Sequence, residues 1–431
     1  MKLEGSLSPS TDFSSTAASS VLDKSEKFSS VSTDGSQEDK TWLQLPQDLQ
    51  YYLDYHKTQL NFHHYKFKHD ANHFLHHTLV EQALTYDPLL YAVAGFAAFH
   101  STVNRPSGKM QDFLGYHNKS VSLLRKSLRD NQRHTDATML TILQLATFEV
   151  RQPYYPHGDA NRRQDYLGDL VSLLGHQKAA YGMLTELYSS HSIMETEERR
   201  KILAWYLRFD VMGGLIAGYS AVLGREWFLT MESYYHQQSL SYPMSIDCKI
   251  EATIASNRLL AGDLALLYAQ LPRGDISVED FARECARYAE QLDTWKENLD
   301  PVFRDESYLV KSFGDEVRQD PQDIVDPYMP GGLYRGALFT FNYMLMDWLA
   351  LNLMHKYKTA ILLRREVPRE VRASAMEICR LFETIEYWPE SPPGAVLKAQ
   401  GSLGLAIVFL PRDEKHIMWC RRKLDKIESL G

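Results

Sequence analysis

The sequence predicts an all-α protein, an irregular array of antiparallel helix pairs forming a single large helical domain. Apolar residues recur at helical spacing through most of the chain after Trp42. No run of alternating apolar and polar residues reads as a strand, and the Pro-rich or charged stretches fall in three loops. With 44% hydrophobic and 12% aromatic residues over 431 positions, the chain can bury a sizeable core.

The elements follow in order. Residues 1–40 hold twelve serines and three threonines with few apolar residues, which predicts a disordered tail; a phosphorylated regulatory tail is the other reading, which serine richness alone does not show. Residues 41–431 form the helical domain. Asp87-Pro88 opens a helix, with Asp87 as cap and Pro88 at the first helical position. It continues as LLYAVAGFAAFH and ends before Arg105-Pro106. Helices are predicted from Gln111 to Arg129, from Thr135-Asp136 to Val150, and over Asp165 to Leu174. Further ones span Glu197 to Tyr219, Ser245 to Leu271, Val278 to Leu299, Leu333 to Leu363, Arg369 to Tyr387, Ala395 to Leu410 and Asp413 to Ile427. The loops are Pro153–Pro156, Asp300–Pro330 and Pro389–Pro393; the second is long enough to divide the bundle or cover a groove. No 34-residue helical repeat is present.

Composition excludes several classes. A net charge of −8 argues against a broad nucleic-acid footprint. Cys248, Cys285, Cys379 and Cys420 are far apart, without the spacing of a zinc or redox motif, so they read as reduced, buried thiols. The longest apolar stretch, Ala337 to Met354, is interrupted by Asn342, Asp347 and Asn352, which predicts a buried helix and no membrane span. The phosphate-binding glycine loop, the GxGxxG and GxSxG motifs and the HExxH zinc motif are all absent. Asp320, Asp323 and Asp326 do not form the DDxxD patch of a terpene-synthase-like site, and with Pro321 and Pro327 beside them they read as a solvated loop. The sequence therefore predicts no enzyme.

His56 to His77, HKTQLNFHHYKFKHDANHFLHH, carries seven of the sixteen histidines. On a helix His69, His73 and His77 would share one face, a spacing that suits zinc or copper. The competing reading is structural, with the histidines flanking Phe62, Phe67, Phe74 and Leu75; a pH-sensitive face is a third.

Three stretches are more specific: YYLDYHKTQLNFHHYKFKHDANHFLHHTLVEQALTYDPLLYAVAGFAAFHST, RRKILAWYLRFDVMGGLIAGYSAVLGREWF (Arg199 to Phe228), and IEYWPESPPGAVLKAQGSLGLAIVFLPRDEKHIMWCRRKLDKIE (Ile385 to Glu428). Together they resemble the fungal-specific transcription factor domain, the helical regulatory region that follows the six-cysteine binuclear zinc cluster of fungal activators. The resemblance covers roughly residues 42 to 430. It implies transcription regulation, a nuclear address, protein partners or self-association through helical faces, and a small-molecule effector. It gives the histidine segment no metal role. Residues 1–40 contain no cysteine, so the family's zinc ligands carry over to no residue here. DNA would be reached indirectly or through a missing N-terminal module, and zinc would enter only with an upstream cysteine cluster. The alternative is a helical small-molecule binder or enzyme unrelated to transcription, to which 25 tyrosines and 18 phenylalanines could give an apolar pocket.

Within the second stretch, Ile202, Trp205, Tyr206 and Phe209 form one apolar stripe. Arg208 and Asp210 flank it, two apart and unable to face each other, so each needs a partner elsewhere. Trp205, Arg208 and Asp210 therefore either form a buried structural network or border an effector pocket. The basic run with Arg421, Arg422, Lys423 and Lys426 could meet phosphates. Its interleaved acids argue against that, and Ile417, Met418, Leu424 and Ile427 point to a helix packed on the body.

Overall fold

DPLLYAVAGFAAFH is apolar on every side, and such a helix must sit inside a protein. In the computed structural model it does. The structure describes residues 42–430 except 68, 71, 104–109, 131–132, 150–176, 218–220, 315–319 and 329. The predicted tail, the helix expected over Asp165 to Leu174 and the Pro153–Pro156 loop lie outside the described residues.

The helices are α1 (Gln47–Gln59), α2 (Thr78–Thr85), α3 (Asp87–Val103), α4 (Met110–Arg129), α5 (Asp136–Glu149), α6 (177–187), α7 (Glu197–Ala217), α8 (Arg225–Ser241), α9 (Ile246–Arg273), α10 (Val278–Asp293), α11 (Phe341–Leu362), α12 (Glu370–Tyr387), α13 (Ala395–Ile407) and α14 (Glu414–Ser429). Among the described residues there is no strand, only an isolated bridge between Leu309 and Tyr334. The fold is all-α. Sequential pairs pack most extensively: α3 with α4, α8 with α9, α11 with α12, and α12 with α13. No described helix is long and apolar enough to cross a membrane.

Local chemistry sets several ends. Ser245 caps α9 by accepting from the Cys248 N–H at 3.2 Å, Ser277 caps α10 from Asp280 at 3.0 Å, and Asp413 caps α14 from His416 at 3.0 Å. Gly274, at φ +76°, closes α9 in the left-handed conformation that suits glycine. A Cβ at Gly95 would lie 3.3 Å from both the Tyr116 Cβ and the His117 nitrogen, so glycine lets α3 and α4 touch backbone to backbone.

Among the described residues, three apolar clusters fill the interior. One lies among α1–α10 around Phe96, Trp205, Tyr206 and Phe281. A second lies among α11–α14 around Leu353, Phe382, Leu403 and Trp419. A third joins them: Trp295 stacks on Phe341 and Trp348 at 6.3 and 5.5 Å, and Phe303 stacks on Phe341 at 4.7 Å.

Several boundaries differ from the sequence expectation. The helix expected from Leu333 begins at Phe341, because Arg335 pairs with the Tyr308 carbonyl at 2.8 Å and Gly336 adopts φ +61°. The helix expected to reach Leu299 stops at Asp293, where Trp295 turns into the third cluster. Helix α8 was not expected as a separate element; its REWFLTMESYYHQQSLS sequence is largely polar and lacks a side-chain cap. From the Asp300–Pro330 loop, Phe303 is buried in the third cluster and Val310 in the second, and the Val310 N–H donates to the Leu333 carbonyl at 2.8 Å.

The largest difference lies in the histidine segment. Residues between α1 and α2 form turns, and no helix places His69, His73 and His77 on one face. Lys66 and His73 take positive φ values of 54° and 55°. Tyr65, Phe67, Phe74 and Leu75 are all buried, and helical spacing cannot send so dense an inward set into one core.

Candidate functional site

The three residues singled out on α7 are brought to one junction. Trp205 is fully buried and edge-packs on Tyr65 at 5.6 Å and Phe67 at 5.0 Å. Its indole Nε1 donates to Thr147 Oγ1 at 2.8 Å. Arg208 Nη2 donates to the same oxygen at 3.2 Å, and Nη1 donates to the Tyr65 carbonyl. Thr147 in turn donates to the Leu143 carbonyl at 2.9 Å, so one hydroxyl on α5 takes two α7 donors and keeps its own proton bonded. Ile202 and Tyr206 are buried beside Trp205; Phe209 lies outside the described side chains.

Asp210 sits on a different side of α7 and does other work. Its carboxylate accepts from Gln177 Nε2 at 2.6 Å and from the backbone N–H groups of Val222 and Leu223 at 2.7 and 3.0 Å. It thereby ties α6 and the segment before α8 to α7. Burial raises its pKa against the opposing pull of these three donors. Arg208 and Asp210 thus find separate partners, as their two-residue spacing requires.

Lys201, one turn earlier on α7, fixes the histidine loop from the other side. Its buried ammonium donates to the His69 carbonyl at 3.2 Å and lies 3.2 Å from Glu251 and 4.0 Å from Asp70. His69 Nε2 is 2.9 Å from Asp247 Oδ1. Asp70 accepts from the Phe74 and Leu75 N–H groups at 3.1 and 3.3 Å, folding the turn around His73. Sequence reasoning missed Lys201 because nothing marks it apart from other helical lysines.

The histidines are distributed among separate partners. His56 Nε2 bonds to the Tyr65 hydroxyl at 2.7 Å, and His76 Nε2 donates to the Leu60 carbonyl at 2.7 Å. His64 meets His100 edge-on at 5.0 Å. Among the described residues no three His, Cys, Asp or Glu side chains are grouped to hold a metal ion. Burial is the main cause that lowers both His56 and His63 to about 3; His76, His64 and Lys57 add to it at His56, and Lys398 and His64 at His63.

The sign of the resulting pH dependence is fixed. Both histidines are neutral when folded but protonate near their ordinary value of 6.5 once unfolded. Between about pH 6.5 and 3 the unfolded chain binds more protons, so stability falls as pH falls. At pH 5 each contributes a loss of about 2 kcal/mol. Thermal melts at pH 7.5 and 5.0 should show a drop of several degrees, and H56N should flatten it; an unchanged melting temperature in the native protein would refute this reading.

The C-terminal basic run is also engaged. Lys423 is 1% exposed and its ammonium lies 2.8 Å from Glu383 and 2.7 Å from Glu386. Trp419 Nε1 donates to Glu383 Oε1 at 2.5 Å. Arg422 pairs with Asp320 at 2.7 Å and Asp323 at 2.8 Å. The aspartate loop is therefore more than a solvated one: the Asp323 side chain is 4% exposed and holds α14, while Asp326 accepts from the Tyr328 N–H at 3.0 Å.

The four cysteines do not fit a six-cysteine zinc cluster. Cys285 and Cys379 are buried in separate clusters, and burial pushes the thiols of Cys285, Cys379 and Cys420 up, away from the thiolate a metal requires.

No curated protein and no solved structure matches the chain. Residues 49–319, well over half of its length, match the fungal specific transcription factor domain. That matched span contains most of α1, all of α2 to α10, the histidine loop and the α7 junction, and the chain belongs to this family of transcription regulators.

Proposed function

We propose that this chain is the effector and interaction region of a nuclear transcription regulator, reaching DNA through a partner protein or through a reader outside this sequence. The match over residues 49–319 carries the reading. Residues 41–431 act as one helical domain that presents helical faces to partner proteins or to a second copy. It requires no cofactor, and any zinc belongs to the separate reader.

Trp205, Arg208 and Asp210 act as a positioning network. The support is that their polar atoms meet protein groups from α5, α6, the histidine loop and the segment before α8. A junction of this kind converts a small change at one element into a shift of several. A partner or small effector that binds one arrangement better moves the balance between two states.

The test tethers the full chain to an unrelated DNA-binding domain upstream of a reporter. Activation or repression of severalfold supports the reading, and an inert, folded, nuclear fusion overturns it. In the same assay R208A distinguishes the two roles of the junction. A positioning role lowers response and melting temperature together, whereas loss of response with unchanged melting would place an effector against Arg208.

A further inference from the structure

Glycine weakens the interior of a helix relative to alanine, so a glycine deep inside α9 needs a reason. Gly95 has one, the backbone contact of α3 with α4. Gly262 has none of that kind. The nearest atoms a Cβ there would meet belong to the Phe228 ring of α8, at 3.4 Å, the edge of ordinary van der Waals contact. Gly262 instead borders a cleft of about 120 Å³ between α8 and α9. Leu223, Phe228, Leu259 and Leu266 give this cleft apolar walls, and Arg225 and Asp263 are the charged residues that line it. A cavity of about 150 Å³ takes a benzene ring, whereas drug-sized ligands need roughly 300 Å³ or more. The cleft therefore suits one ring or a short branched chain.

Its charged groups narrow the chemistry further. Asp263 is 12% exposed, and its two oxygens accept from Arg225 Nε at 2.5 Å and Nη2 at 2.9 Å. Arg225 is half-exposed and uses only that edge of its guanidinium; among the described residues nothing bonds Nη1. Glu226 folds its exposed carboxylate back beside Gly224, so two acids surround the one arginine. A ligand carboxylate is repelled by both acids, and a ligand ammonium is repelled by Arg225 and finds Asp263 already satisfied. What remains on offer is an N–H donor for an uncharged oxygen. The wall is also tied to α7, because the N–H groups of Leu223 and its neighbour Val222 donate to Asp210.

We propose that the cleft between α8 and α9 binds small uncharged molecules made of one ring or a short branched chain with a single acceptor oxygen. The hydrocarbon part packs on Phe228, Leu259 and Leu266, and the oxygen accepts from Arg225. Because Leu223 is held by Asp210, occupancy tightens the segment before α8 on α7. Binding stands apart from the transcriptional reading; only its use as a signal rests on it.

The test titrates cyclohexanone into the full chain with its leucine methyls labelled for NMR, alongside cyclohexylammonium and cyclohexanecarboxylate. Cyclohexanone should shift the methyls of Leu223, Leu259 and Leu266, leave Leu403 in the second cluster unmoved, and slow amide exchange at Val222 and Leu223. G262A, which puts a methyl into the cleft, should melt no lower than the native protein and weaken binding about tenfold. Absence of the shifts, shifts that G262A leaves unchanged, unaltered exchange at Val222 and Leu223, or tighter binding of either charged ring would each overturn the proposal. Should G262A melt lower, L266F, which fills the cleft from its rim, replaces it with the same expected outcomes. None of these readouts depends on the tethered reporter, so the two readings fail separately.

Discussion

Replacing Lys423 with methionine is expected to destabilise the protein by about 3–5 kcal/mol, because it leaves a buried carboxylate without its counter-charge. Glu383 is completely buried, and burial raises its pKa while Lys423 and the Trp419 indole oppose that rise. Glu386 shares the same ammonium. Helix α14 buries only Trp419, Lys423 and Ile427, so the charge sits at the centre of its docking stripe. Methionine fills the space but cannot neutralise either acid. Adding E383Q to K423M should recover part of the loss, since the amide still accepts from Trp419. Denaturant melts check both, and a K423M deficit below about 1 kcal/mol would mean that the two acids are stable without the lysine.

The second large effect is at Asp210. Removing its carboxylate in D210A leaves the Gln177 amide and the Val222 and Leu223 N–H groups without their acceptor. Unmade buried hydrogen bonds cost roughly 1–3 kcal/mol each, so a loss of about 3–5 kcal/mol is expected once some donors find water. D210N retains one carbonyl oxygen and should lose about half as much. If D210A melts like the native protein, the link between α6, α7 and the segment before α8 is not what holds them.

What the sequence announces and what it hides divide along physical lines. Helix α3 is legible because Asp87-Pro88 starts it and its apolar residues leave no wet face; α14 is legible because Asp413 caps it. The need of Arg208 and Asp210 for remote partners also follows from spacing alone. Which partners they find does not, since Thr147 and Tyr65 are 61 and 143 residues away from Arg208. The same holds for Lys423 and Glu386, 37 residues apart on different helices. The histidine segment misleads because its four-residue spacing is helical while its aromatic anchors demand turns, and tertiary burial outweighs local pattern there. Helix α8 escapes notice for the opposite reason: its stripe of Trp227, Phe228, Met231 and Tyr235 is buried, but the surrounding polar residues dilute it.

The rings that join the two main clusters have a practical consequence for anyone cutting the gene. Trp295 and Phe303 fall inside the span that matches the family, but Phe341 and Trp348, against which they stack, fall beyond residue 319. A fragment trimmed to the matched boundary would bare a sticky aromatic seam at its new end, inviting aggregation and chaperone capture. The smallest portion of this chain able to stand alone is therefore longer than the portion by which its kinship is recognised.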